Sequence, residues 1–199
     1  MINPHRYALE VCGMLPSSIA NGLGPNAVAD WQAAHGLTPD GEIGPKTADA
    51  MHVEAEARGV KLHFDAAEIM QGNAVPKGWE PRLRRTLRMC EVRRRDVFGG
   101  VPCVVCTAGG FRKPNQHRAP GQADKSQHKE LTAADLKPVV PGTGTPAKDW
   151  AARTLAMMQD GRLEPGGFHV YHANGLNDKG EVAEPFCHTD WRGYIAQWS

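Results

Sequence analysis

No stretch of this chain approaches the ~20 consecutive apolar residues that a helical bilayer crossing demands, which removes a membrane-spanning helix from the readings. Net charge is nearly absent as well. The 23 Lys and Arg against 22 Asp and Glu leave +1 at neutral pH, too little to make the whole chain a nucleic-acid binder. Its five cysteines, at 12, 90, 103, 106 and 187, are odd in number and follow no repeated spacing, so a disulfide scaffold is excluded and reduced thiols are expected. Cys103 and Cys106 form a lone CxxC with no second pair. It lies in the apolar run VPCVVCT, which reads as a buried strand and is weak support for a metal or redox site. The opening residues, MINPHRYALEVCGMLPSS, have no basic start followed by a long apolar stretch, and no export signal is expected from them. What is present is 41% hydrophobic and 23% charged residues in 199, enough for a real core in one domain or in a small module joined to a medium one.

Near the N-terminus, Gly24-Pro25 reads as a helix start, Val28 and Trp31 stand one turn apart, and Gly36 ends the segment. Asp40-Gly41 then marks a tight turn, and Gly44-Pro45 opens a helix running towards Met51. This stretch, WQAAHGLTPDGEIGPKTADAM, resembles the repeat of the peptidoglycan-binding domain family through Gln32, Leu37, Asp40, Gly41, Ile43, Gly44, Pro45 and Thr47. The resemblance covers about residues 1–58 and implies a three-helix module that docks on cell-wall glycan or peptide. The same residues would also close a small helical core, so no glycan contact is assigned to any one of them.

A second domain is expected over residues 61–199. Its first long element is a helix from Glu80 to Asp96, with Leu83, Leu87 and Cys90 along one face. Arginines at 82, 84, 85, 88, 93, 94 and 95 crowd that helix and read as a solvated face. Beyond it, His128 and Asp135 form His-x6-Asp, a nitrogen and an oxygen donor on one segment, and the C-terminal PFCHTDWRGYIAQW adds His188. Catalytic zinc usually takes three protein ligands and leaves a position open, so a third donor from a distant segment is what such a site needs. If HTD is a strand, His188 and Asp190 share a side, which places a carboxylate beside the metal. Arg112 is suited to a substrate carboxylate or an oxyanion, and Ser126 to a hydrogen bond at the same end.

In these residues the second domain resembles the family of zinc D-Ala-D-Ala carboxypeptidases and L-alanyl-D-glutamate endopeptidases, whose relatives include Hedgehog-type domains. The resemblance rests on Gly110-Phe111-Arg112, Ser126-Gln127-His128, Ala133-Ala134-Asp135, His188-Thr189-Asp190, Arg192-Gly193 and a closing Trp198, with HFDAAEI at residues 63–69 as a further likeness. It implies one zinc ion on His128, Asp135 and His188, substrate handling by Arg112 and Ser126, and attack of a metal-activated water on a peptide carbonyl. The family places an acid three residues before its last ligand, where this chain has Pro185. Glu184 is therefore ranked as the base ahead of Asp190, which also reads as an orienting group or an Arg192 partner. His169 and His172 are candidate transition-state donors.

The expected fold is a small all-α three-helix module followed by an α+β domain with a mainly antiparallel sheet. Trp191, Tyr194 and Trp198 are expected to close its core. The expected function is hydrolysis of amide bonds in peptidoglycan stem peptides or cross-links, in the manner of a phage endolysin. Such a protein is made in the host cytoplasm, reaches the wall on lysis, acts as a monomer, and binds neither nucleic acid nor, stably, membrane. The rival readings are a non-hydrolytic zinc-containing wall-recognition protein and a virion component that thins the wall.

Overall fold

Asn3, followed at once by Pro4, starts the first helix: its side chain accepts the amides of His5 and Arg6, and the proline stands where no helical N–H is needed. A computed structural model describes residues 1–22, 24, 26–113 and 126–197. The helical module comprises α1 (Pro4–Val11), α2 (Ser17–Ala20), α3 (Ala27–Ala34) and α4 (Pro45–Ala57). Among the described residues, four helical segments thus stand where three were expected. The additional one is the single turn α2, separated from α1 by Pro16. Pro25 and Trp198 lie outside the described residues.

The module closes on its own core of Leu9, Met14, Ile19, Trp31, Ile43, Met51 and neighbours. Gln32 explains much of the sequence motif. Buried on α3, it donates through Nε2 to Asp40 Oδ1 at 2.8 Å, the Glu42 carbonyl at 3.0 Å and Thr47 Oγ1 at 3.0 Å. Its Oε1 accepts the Gly41 amide at 2.9 Å, where φ is +77°. One amide side chain thereby pins the Asp-Gly turn to the start of α4, and the motif residues act as a scaffold.

The second core gathers residues from Phe64 to Cys187. Its elements are α5 (Ala66–Met70), α6 (Glu80–Asp96), β1 (Cys103–Val105), a 3-10 turn (Gln127–Glu130), β2 (Ala133–Pro138), α7 (Ala147–Asp160), β3 (Gly167–Tyr171), β4 (Phe186–Asp190) and β5 (Ala196–Gln197). The sheet order is β1-β2-β4-β3-β5, antiparallel except for the β3–β5 pair. This is the α+β arrangement with a mostly antiparallel sheet that the sequence suggests. Ala134, Leu136, Phe168 and Cys187 bury one sheet face, with α6 packed on β2 and α7 on β3. Alternation sends their neighbours Asp135, His169 and His188 to the other face. No helix among the described residues is long and apolar enough to cross a membrane.

The arginines of α6 depart from the expected solvated face. The helix is packed between α1 and α4 on one side and β2 on the other, so much of its charge is buried and paired. Arg84 forks onto Asp49 at 2.7 and 2.8 Å, Arg85 pairs with Glu164, and buried Arg88 meets His52 Nδ1 at 2.8 Å. Arg93 is fully buried beneath the sheet. Trp191 packs against the core as expected, whereas Tyr194 is 62% exposed and closes nothing.

Candidate metal centre

Asp135 and His188 are direct cross-strand partners of β2 and β4, so the ladder itself sets their side chains next to each other on one face. The 3-10 turn brings in His128. Leu131, at φ +56°, ends that turn and sends the chain into β2. His188 Nδ1 lies 2.7 Å from Asp135 Oδ1 and 3.1 Å from His128 Nε2, and His128 Nε2 lies 3.4 Å from Asp135 Oδ1. All three residues are buried. Among the described residues they form the group of His, Cys, Asp or Glu able to hold a metal ion.

The donor set could hold a metal ion. Ligand atoms about 2.0–2.1 Å from a tetrahedral metal sit about 3.3–3.4 Å apart, close to the upper separations here. Two nitrogens and one carboxylate oxygen also leave a fourth position of the tetrahedron for a non-protein ligand. The next layer of contacts sets the tautomers: His128 Nδ1 faces the Gly110 carbonyl at 2.9 Å, and His188 Nε2 faces Asp190 Oδ2 at 3.3 Å. Both rings thus have a proton acceptor behind them and turn their other nitrogen to the centre.

Residues 26–51 match the family model described as "Putative peptidoglycan binding domain". Neither a curated protein nor a solved structure matches the chain. The match supports peptidoglycan as the partner of the helical module, which shares α1 and α4 contacts with α6 of the unit that carries the His/Asp/His group.

Electrostatics divides the work among the buried groups. Burial opposes ionisation of Asp135, but hydrogen bonds from His128 and His188 outweigh it and hold the carboxyl below its ordinary range. Burial also lowers the His128 pKa, against the pull of Asp135. At His188 the balance reverses: burial is overcome by Asp135 and Asp190, and the pKa rises.

The other expected site residues fall into two groups. Arg112 lies close by, with its amide on the His128 carbonyl at 3.2 Å and its guanidinium on the Ala108 carbonyl at 3.2 and 3.0 Å. Ser126 precedes the 3-10 turn and accepts the Lys129 amide with its carbonyl. Asp190 is fully buried and committed on both oxygens, to Arg192, the Gly167 amide and His188. Burial opposes its ionisation, but those contacts hold it below the usual carboxylate range. His169 is the register partner of His188 on the same face, and His172 ends β3 at φ +56°. Glu184 is not gathered into the group. It pairs with Lys137, two residues beyond Asp135 and on the same face of β2.

Two contributors escaped the sequence reading. Gly109 accepts the Asp135 amide with its carbonyl at 2.8 Å, and a Cβ there would come within 2.7 Å of Asp135 Cβ, so a side chain would push Asp135 away. Arg93 donates to the carbonyls of Ala134 at 3.2 Å and Cys187 at 2.7 Å, the residues just before Asp135 and His188. A signal for it existed, because Arg93 falls three positions after Cys90 on the apolar stripe of α6.

Proposed function

We propose that the chain is a zinc-dependent peptidase that hydrolyses amide bonds in peptidoglycan stem peptides or cross-links, with one zinc ion on His128, Asp135 and His188. The observation that carries the reading is the convergence of His128, Asp135 and His188 from three segments of the chain, each with one nitrogen or oxygen turned to a common point. The matched peptidoglycan-binding segment supplies the substrate class. When bound, zinc supplies a Lewis acid for the scissile carbonyl and brings the pKa of water towards about 7.

The chain's own groups do the rest. Gly110 and Asp190 fix the ligand rings through their outer nitrogens. Arg112, anchored beside His128, receives the carboxylate of the stem peptide together with Ser126. Glu184, which pairs with Lys137 outside the His/Asp/His group, would have to leave Lys137 to take a proton from the attacking water and deliver it to the departing amine. Tyr171 and Phe186, stacked with centroids 4.5 Å apart on the same face, give the peptide an apolar wall. In its biological setting this is the work of an endolysin.

Pro185 keeps a second reading in view, because the acid expected three residues before His188 is missing. In that reading the protein holds zinc and recognises wall without cutting it. One experiment separates the two: the zinc-loaded protein is incubated with purified peptidoglycan, and new amino and carboxyl termini are identified by mass spectrometry. Cleavage is expected. His128→Ala should lose zinc and cleavage while still sedimenting with the wall; a zinc-loaded protein that releases no new terminus would refute the peptidase reading.

A further inference from the structure

Between the helical module and α6 lies a groove of about 380 Å³, within the range of small-ligand sites. One wall is made by Leu37, Lys46 and Ala50, all inside the segment that matches the peptidoglycan-binding family. The other is made by Arg82 and Arg85 of α6 and by Trp191. We propose that wall binding is completed by this composite groove, which takes a peptidoglycan stem peptide through its free carboxylates. The proposal deepens the wall-binding part of the reading above and rests on it.

Charge decides the occupant. The lining brings the cations Lys46 and Arg82 to the groove, while its other charges are already engaged: Arg85 by Glu164, buried Arg88 by His52, and Asp49 by Arg84 at 2.7 and 2.8 Å. Arg82 is half-exposed and directs both of its bonds to Glu130, carbonyl and carboxylate, through one terminal nitrogen, so the rest of its planar fork can receive a carboxylate side-on. Arg85, paired with Glu164, stands over the Trp191 ring at 3.8 Å, which orients it with little freedom left to lose on binding. Leu37 and Ala50 give the wall on the module's side an apolar surface that the methyl groups of alanine residues would cover. A stem peptide carries this combination of small apolar side chains and several carboxylates. Nucleic acid would ask for a wider basic surface than one groove on a chain of net charge +1.

The groove lies on the α6 side of the sheet, opposite the face that carries His128, Asp135 and His188. A strand bound there is a different segment of the wall from the one being cut, and the two sites would act together as a bivalent grip.

The test uses the full chain in the His128→Ala background, so that no probe is consumed. Binding is measured to insoluble sacculi by sedimentation and to a soluble disaccharide-tetrapeptide by calorimetry. Arg82→Glu and, separately, Ala50→Trp, which fills the groove, should each weaken the soluble fragment at least tenfold. Amidation of the fragment's carboxylates should do the same to the chain with an unaltered groove. Circular dichroism and thermal midpoint report folding; if Ala50→Trp fails that check, the surface change Arg82→Glu decides. Unchanged affinity in folded variants, with sacculi still bound, would overturn the groove and leave wall binding standing. No binding of sacculi or fragment by the unaltered chain would overturn wall binding and the groove together.

Discussion

Replacing Asp190 by Asn should weaken zinc binding 10- to 100-fold, the usual effect of removing a carboxylate behind a histidine ligand. The reason lies in one proton. His188 turns Nδ1 to Asp135 at 2.7 Å and Nε2 to Asp190 at 3.3 Å, so Nδ1 can serve as a ligand only while the ring proton sits on Nε2 with an acceptor behind it. Asn keeps the shape, and its oxygen can still accept the Gly167 amide, which Asp190 Oδ1 does now at 2.9 Å. Its NH2 then faces Nε2, donor against donor, and the ring is driven to the tautomer with Nδ1 protonated. The expected loss corresponds to about 1.4–2.7 kcal/mol of zinc affinity. Chelator competition measures the dissociation constant, and thermal unfolding of the zinc-free protein reports any general loss of structure. Arg192→Met is the control, because it removes the charge partner of Asp190 and leaves the acceptor in place. The reasoning is refuted if Asp190→Asn binds zinc as tightly as the parent, or if Arg192→Met loses as much.

Glu184→Gln should lower turnover at least tenfold with zinc content unchanged, since it removes the proton acceptor and leaves the ligands alone. An unaffected rate would move that role to another group on the same face, with His169 the first to examine. The second expectation concerns stability. Burial first, then Arg88 and Arg84, lowers the His52 pKa from 6.5 to about 3, and Arg88 donating to Nδ1 at 2.8 Å requires a neutral ring. The native state therefore binds fewer protons than the unfolded state. Stability is full above about pH 6.5 and falls as the pH drops towards the folded value, with a slope of up to about 1.4 kcal/mol per pH unit from this group. Urea unfolding at several pH values between 6 and 4.5 should give a shallower slope for His52→Gln, and equal slopes would rule out the assignment.

Periodic and local features were the legible part. The bounds of α6 at Glu80 and Asp96 follow from its apolar stripe, and the strand supposed at His188–Asp190 falls inside β4. The grouping of His128, Asp135 and His188 could be anticipated because each sits in a short motif and their order is distinctive. What could not be seen was which faces meet. Seven arginines on one helix resemble a solvated surface until α1, α4 and β2 are packed around them. Glu184 illustrates the same limit: it precedes β4, and its pairing with Lys137 depends on how β2 and β4 are brought together. Gly109 is read as loop chemistry in one dimension, and its need for no side chain arises only from the approach of Asp135.

That register is the deepest requirement of the site, since a slip of one residue between β2 and β4 would turn either Asp135 or His188 into the core. Alternation along both strands opposes the slip, because Ala134, Leu136 and Cys187 would be moved out of the core at the same time. Arg93 adds a more local device. Its guanidinium spans the two strands from below, bonding the Ala134 and Cys187 carbonyls, while its Nε has no partner among the described residues. A fully buried guanidinium with one unsatisfied nitrogen costs stability that a leucine in the same stripe would not. What the arginine supplies and a leucine cannot is a distance: two carbonyls on neighbouring strands held by one rigid fork. The residues that follow those carbonyls are Asp135 and His188. The buried face of the sheet therefore sets the spacing of Asp135 and His188 on the opposite one.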